Sequence, residues 1–245
     1  MALYRDEALV VRTLRLGEAD RIVTLVTPEH GKVRAVAKGV RRTKSRIGAR
    51  LEPLCHVSLL AWHGRELDVV TQVETLDAFR PVRDDLALLA QALTMLEVAD
   101  QVAVERHPME AVFTLLVRAL RTLERTASPA VLGAFCWKLL VAEGVGPVAD
   151  RCARCGADGQ LVAFDPGEGG FLCRGCRRGQ GVSPGAVALI RRVLGGGLAG
   201  VLGDAPAGPV EESERLALAA VERHIDRRLR TTRHAHELAA PAEGR

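Results

Sequence analysis

Aromatic side chains are scarce in this chain of 245 residues: two Trp, one Tyr and five Phe, 3% of the whole. A site that gripped bases by stacking would need several of them, so that mode of recognition has little to draw on. No apolar run approaches the ~18 residues of a membrane span. The start MALYRDEALV lacks the basic and apolar regions of a secretory signal, so a cytosolic protein is expected. In a reducing compartment six cysteines are not a disulfide framework, which leaves metal binding or redox chemistry. Acidic residues are missing from one long stretch, KVRAVAKGVRRTKSRIGAR at residues 32–50, and the chain is organised around it.

That stretch holds eight cations, Lys32, Arg34, Lys38, Arg41, Arg42, Lys44, Arg46 and Arg50, with Glu29 and Glu52 just outside. Charges of one sign at this density repel one another unless water or an anion offsets them. Residues 32–38 alternate cations with Val33, Ala35 and Ala37 and read as a strand; the remainder, opened by Gly39 and interrupted by Gly48, reads as a loop. A solvated linker would show the same charges, but this run lies between expected strands, which keep its cations close together. Residues 1–80 carry 14 basic and 10 acidic residues, whereas residues 81–150 carry 6 and 9. A polyanion-binding face is therefore expected in the N-terminal part, on the eight named cations.

Five runs rich in Val, Leu and Thr, at residues 7–16, 21–27, 32–38, 54–63 and 67–76, are separated by Gly17, by Pro28 with Gly31, by the basic loop and by the His63-Gly64-Arg65 corner. Five strands in so short a span predict a small closed barrel. The five-stranded OB-fold, which binds oligonucleotides on a strand face and its loops, is the candidate; an SH3-like barrel for protein contacts is the alternative.

After Pro81 the apolar period changes to 3.6. Asp84 and Asp85 offer an N-cap to a helix reaching about residue 106, with Leu86, Leu89, Leu93 and Leu96 on one face. Pro108 starts a second helix carrying Val112, Phe113, Leu116, Leu120 and Leu123, and Ser128-Pro129 a third carrying Leu132, Phe135 and Leu139 up to Gly144. These three helices read as a bundle. Ser183-Pro184 opens another helix with Val187, Ile190 and Leu194, followed by a connection rich in Gly and Pro. The last helix, from about Val210, shows Leu218, Val221, Ile225 and Leu229, and Arg227, Arg228 and Arg230 at its C-terminus are expected to offset the dipole, with nucleic-acid contact as the alternative. The tail from about residue 231 reads as disordered.

Cys152-Ala-Arg-Cys155 and Cys173-Arg-Gly-Cys176 are two CxxC knuckles 17 residues apart. The spacing fits a four-cysteine zinc site, because each knuckle turns two thiolates toward one tetrahedral ion. Four thiolates leave no position for water, so such a site is structural, with one Zn2+ per chain. A pair of redox dithiols is the alternative reading. Residues 161–164 and 170–172 are expected to pair, giving a zinc ribbon at about 148–182. Cys55 and Cys136, isolated among apolar residues, are expected to be buried, and the histidines show no ligand spacing of their own.

The run EALVVRTLRLGEADRIVTLVTPEHGKVRAVAKGVRRTKSRIGARLEPL, residues 7–54, resembles the N-terminal signature of the bacterial recombination-mediator family RecO, most of all in GEADRIVTL, the HGK turn and AKGVRR. The helical region and the CxxC pair follow in the family's order. The resemblance implies an α+β multidomain protein: an OB-fold β-barrel at 1–80, then a helical bundle at 81–245 with an inserted four-cysteine zinc ribbon. It implies a non-enzymatic, cytoplasmic and nucleoid-associated protein that binds single- and double-stranded DNA. Such a protein anneals strands coated by single-stranded-DNA-binding protein, and works with RecR to load RecA. Three competitors share some of these features: an RNA-binding protein, an adaptor with an inert barrel, and an enzyme. Against the last, Gly39 and Gly48 do not form a P-loop, and no Ser/His/Asp set can be assembled from the sequence.

Overall fold

The computed structural model describes residues 2–42, 45 and 47–231. It divides into two compact units, the first running to Glu124 and the second from Arg125 to Arg233. Of the expected cations, Lys44 and Arg46 lie outside the described residues, as does nearly all of the expected tail.

The first unit is built on a closed barrel of β1 (Leu3–Leu16), β2 (Asp20–Thr27), β3 (Gly31–Ala37), β4 (His56–Trp62) and β5 (Asp68–Asp77), in the order β1-β2-β3-β5-β4. Neighbours are antiparallel except β3 and β5, which run parallel and close the barrel through Ala35 opposite Asp68 and Val36 opposite Val69. Strand β1 starts earlier than its alternation predicts, because residues 3–9 pair with β4 while residues 9–16, shifted in register by a bulge between Val10 and Arg12, pair with β2. One long bent strand thus serves two partners, a shape that a bulge permits. Inward positions such as Val10, Val23, Leu25, Ala35, Val57 and Leu59 form the core, each almost fully buried. The outward positions of β3 include Arg34, followed beyond the strand by exposed Lys38, so the period of two sorts apolar side chains from cations.

Three helices follow in or across this unit: α1 (Arg80–Asp84), α2 (Leu86–Val102) and α3 (Glu110–Thr126). Asp85 caps α2, its carboxylate accepting from the N–H groups of Ala87 and Leu88 at 2.8 and 3.0 Å. The expected leucine stripe is out of phase. Leu86 is 80% exposed and Leu93 37%, and the buried face is Leu88, Ala92, Met95, Leu96 and Ala99. Leu and Ala cover α2 nearly all round, so spacing alone does not select a face. The stripe on α3 lies where the sequence placed it. Between α2 and α3 the chain runs along the start of β3: Lys32 N–H donates to Val104 C=O at 3.0 Å and Arg106 N–H to Lys32 C=O at 3.3 Å. Gly31 makes this approach possible, with φ +63° and the place of a Cβ only 2.0 Å from His107 O.

The second unit contains α4 (Ala130–Ala142), α5 (Pro184–Leu194), α6 (Leu198–Asp204), α7 (Ala207–His224) and a small sheet, β7-β6-β8, of β6 (Leu161–Asp165), β7 (Gly170–Cys173) and β8 (Gln180–Gly181). The three consecutive helices expected to bundle together are thus shared between units: α2 belongs to the first and α4 to the second. Trp137 on α4 is fully buried, donates to Ser213 Oγ of α7 at 3.0 Å and meets Phe164 edge-on at a centroid distance of 5.6 Å. The supposed connection after Gly197 contains α6, a short helix with glycines at 200 and 203 whose Val201 is buried. The buried face of α7 is Val210, Leu216, Ala217, Ala220 and Val221, while Leu218 and Ile225 are half-buried. Because α7 ends at His224, Arg227, Arg228 and Arg230 lie beyond it, and the basic residues of its last turn are Arg223 and His224.

Candidate nucleic-acid interface and metal centre

The cationic stretch divides by its surroundings. Arg34, Lys38, Arg41, Arg42 and Arg50 are exposed. Lys32 is not a free cation: its Nζ lies 3.2 Å from Asp100 Oδ1, a carboxylate that also pairs with Arg12 at 3.7 Å. A buried carboxylate requires such partners, so the charge of Lys32 is committed within the unit. Beyond β3 the chain turns at Gly39, φ +66°. Arg42 N–H donates to Gly39 C=O at 3.2 Å and Ser45 N–H to Arg42 C=O at 2.8 Å, which keeps the cations of the turn close together. Arg50 sits on a short 3-10 turn, Gly48–Leu51, and its guanidinium donates to Val73 C=O of β5 at 2.7 Å.

The few aromatics of the barrel are mostly engaged elsewhere. Phe79 is fully buried. Trp62 alone among these rings is substantially exposed, at 39%. Tyr4 donates its hydroxyl to Asp68 Oδ2 at 2.7 Å, and its ring lies 4.3 Å from those of His30 and His63. Burial first, and then Asp68, pushes the Tyr4 phenol well above its usual range, so it stays neutral. This cluster of Tyr4 with two histidines was invisible in the spacing, because it joins β1, the β2–β3 turn and the end of β4. Beside it the ligand atoms of Asp6, Glu29 and His30 fall within 4.8 Å of one another, with His30 Nδ1 held by Asp6 Oδ2 at 2.8 Å.

In the second unit the four cysteines converge as their spacing predicts. The sulfurs of Cys152, Cys155, Cys173 and Cys176 all lie within 4.8 Å of one another, and those of Cys155 and Cys173 are 3.8 Å apart. That gap is far too long for a disulfide. It matches the edge of a tetrahedron with bonds of ~2.3 Å to a central zinc, which is about 3.8 Å. Antiparallel β6 and β7 bring the second knuckle to the first, and Ala153 N–H donates to Phe171 C=O at 2.8 Å. Backbone N–H groups of Cys173 and Cys155 directed at the Cys152 sulfur lower the pKa of its thiol, while the Cys155 side chain, then burial and the other sulfurs, raise that of Cys176, so the four sulfurs titrate as one cluster. The residues therefore fit a metal ion with four sulfur ligands. Cys55 and Cys136 are buried, and burial raises both thiols.

A closed five-stranded barrel with an exposed cationic turn, followed by helices and a four-cysteine cluster suggesting a zinc site, defines an OB-fold protein with a basic face and a metal centre. Among the described residues no helix is long and apolar enough to cross a membrane. Residues 1–79 match the family model described as Recombination protein O N terminal, and residues 83–233 that described as Recombination protein O C terminal. The chain is 45% identical over 238 residues to the DNA repair protein RecO of Nocardioides sp. strain JS614, covering 94% of this chain and 97% of that one. This chain belongs to the RecO family, and its role lies in DNA repair and recombination.

Proposed function

We propose that this protein is a non-enzymatic recombination mediator that grips single- and double-stranded DNA through phosphates at Arg34, Lys38, Arg41, Arg42 and Arg50, with Lys44 and Arg46 in the same loop. It anneals complementary strands coated by single-stranded-DNA-binding protein and, with RecR, promotes RecA loading. It acts in the cytoplasm on the nucleoid, and its cysteine cluster holds one structural Zn2+. Lys32 is left out of the contact set because Asp100 takes its charge.

The observation that carries this reading is the exposed cationic turn at the end of β3, on a barrel whose aromatic side chains are mostly committed to its own packing. Two DNA strands repel through their phosphates, and fixed cations relieve that repulsion while releasing counterions. A backbone grip leaves base edges free, which pairing requires. Replacing Arg41 and Arg42 together by alanine should weaken binding to a fluorescent oligonucleotide about tenfold or more at low salt. It should also flatten the slope of log affinity against log salt by about 1.5, the loss of two phosphate contacts. A double variant with an unchanged salt slope would remove the turn from the DNA site.

A further inference from the structure

The GEAD turn between β1 and β2, with Arg21 following it, carries Gly17 as its turn signal and belongs to the family signature. In the structure it grips both ends of the cationic loop. Asp20 Oδ1 accepts the backbone N–H of Gly39 at 2.7 Å. Ala19 C=O accepts the N–H of Arg41 at 2.9 Å, and Gly17 C=O accepts from the Arg41 guanidinium at 3.2 Å. At the far end Arg21 Nη1 meets Glu52 Oε1 at 2.5 Å. Both carboxylates stand at the margins of a surface meant to attract phosphates, where on charge alone they work against binding. Their geometry supplies the opposite effect. Asp20 ties the root of the loop, and Glu52 its end, to the start of β2, so Lys38, Arg41 and Arg50 at those ends have less freedom to lose at the moment of binding.

We propose that Asp20 and Glu52 are positioning residues of the DNA site, holding the root and the end of the cationic loop through Gly39 N–H and Arg21. This rests on the loop being the DNA contact. The two effects differ in sign, which makes the proposal decidable. Removing a negative charge from the rim predicts tighter binding, whereas releasing the loop predicts weaker binding.

The test measures oligonucleotide affinity over a salt series for Asp20→Ala, Asp20→Asn, Glu52→Ala and the Arg41/Arg42 double alanine variant, with thermal melting as the folding control. Asp20→Ala is expected to bind several-fold more weakly, about three- to tenfold, with a salt slope flatter by up to about 1 as the loop's phosphate contacts loosen. Asp20→Asn keeps an oxygen to accept from Gly39 and loses the charge, so it is expected to bind as tightly as the native protein or more so. Glu52→Ala should weaken binding in the same way; its side chain is 42% exposed, so the barrel core does not depend on it. Alanine variants that match or exceed native affinity, while the arginine variant is weakened, would overturn the positioning role and leave the loop in place. If the arginine variant also binds normally, the loop is not the DNA site and both readings fall.

Discussion

Replacing Cys152 by alanine is expected to release the metal and unfold the two knuckles while leaving the barrel intact. Cys152 is the most buried of the four cysteines, 1% exposed, and without it three sulfurs remain, leaving the fourth position to a more weakly held water. Structural zinc contributes on the order of 10 kcal/mol in small metal-dependent folds. That rivals the whole stability of a typical domain, about 5–15 kcal/mol. Beyond the bond from Ala153 N–H to Phe171 C=O, the first knuckle is closed by backbone bonds on its own cysteine, Cys152 N–H to Ala157 C=O at 3.0 Å and Gly156 N–H to Cys152 C=O at 2.9 Å. The β6–β7 pair is better protected, because Phe164 and Phe171 pack together at 4.8 Å and face Trp137. Metal content and amide hydrogen exchange check this. The expected result is loss of one bound ion and rapid exchange around residues 152–157 and 174–177. A metal-free variant with native protection there would show that the cluster contributes nothing to the fold.

Glu214→Gln is expected to stabilise the second unit at pH 8 and to do nothing at pH 4. Glu214 lies on α7 against α4, its Cα 3.1 Å from the place of a Cβ on Gly133. Burial first, and then the charge of Glu211 one turn earlier, raises its carboxyl from 4.5 to about 7. With the folded value above the unfolded one, stability is fully present below pH 4.5, where both states hold the proton. Between pH 4.5 and 7 the unfolded chain releases its proton first, so stability falls as pH rises. Above pH 7 the folded protein carries the whole cost, about 3 kcal/mol, and glutamine has no charge to desolvate. Urea unfolding of both proteins at the two pH values checks this. An equal difference at pH 4 and pH 8 would show that ionisation of Glu214 is not its cause.

The barrel was legible in the sequence because each strand turns an alternating row of Val, Leu and Ala inward and meets a turn residue at its end. Only the start of β1 escaped, since its first residues pair with a strand that lies far along the chain. The helices were legible as helices and less so in their faces. On α2, where Leu and Ala surround the axis, the stripe was misplaced, whereas on α3 charged residues leave a single apolar face and the reading was right. Helix α6 escaped because its glycines read as loop. The four-cysteine cluster was legible from spacing alone, since CxxC encodes its own local geometry. What governs the cationic loop was not. The pairing of Lys32 with Asp100, and the hold of Asp20 on Gly39, join residues that only the closed barrel and its covering helix bring together.

In the mechanism proposed for this protein, an exposed cationic turn on an OB-fold barrel brings DNA strands together by their backbones. The decisive measurement is the annealing rate of two complementary oligonucleotides coated by single-stranded-DNA-binding protein, over a salt series, with the native protein and with the Arg41/Arg42 double alanine variant. Strong acceleration is expected that fades as salt rises and is largely lost in the variant. Ordinary DNA binding without acceleration, or acceleration indifferent to salt and to both arginines, would contradict it.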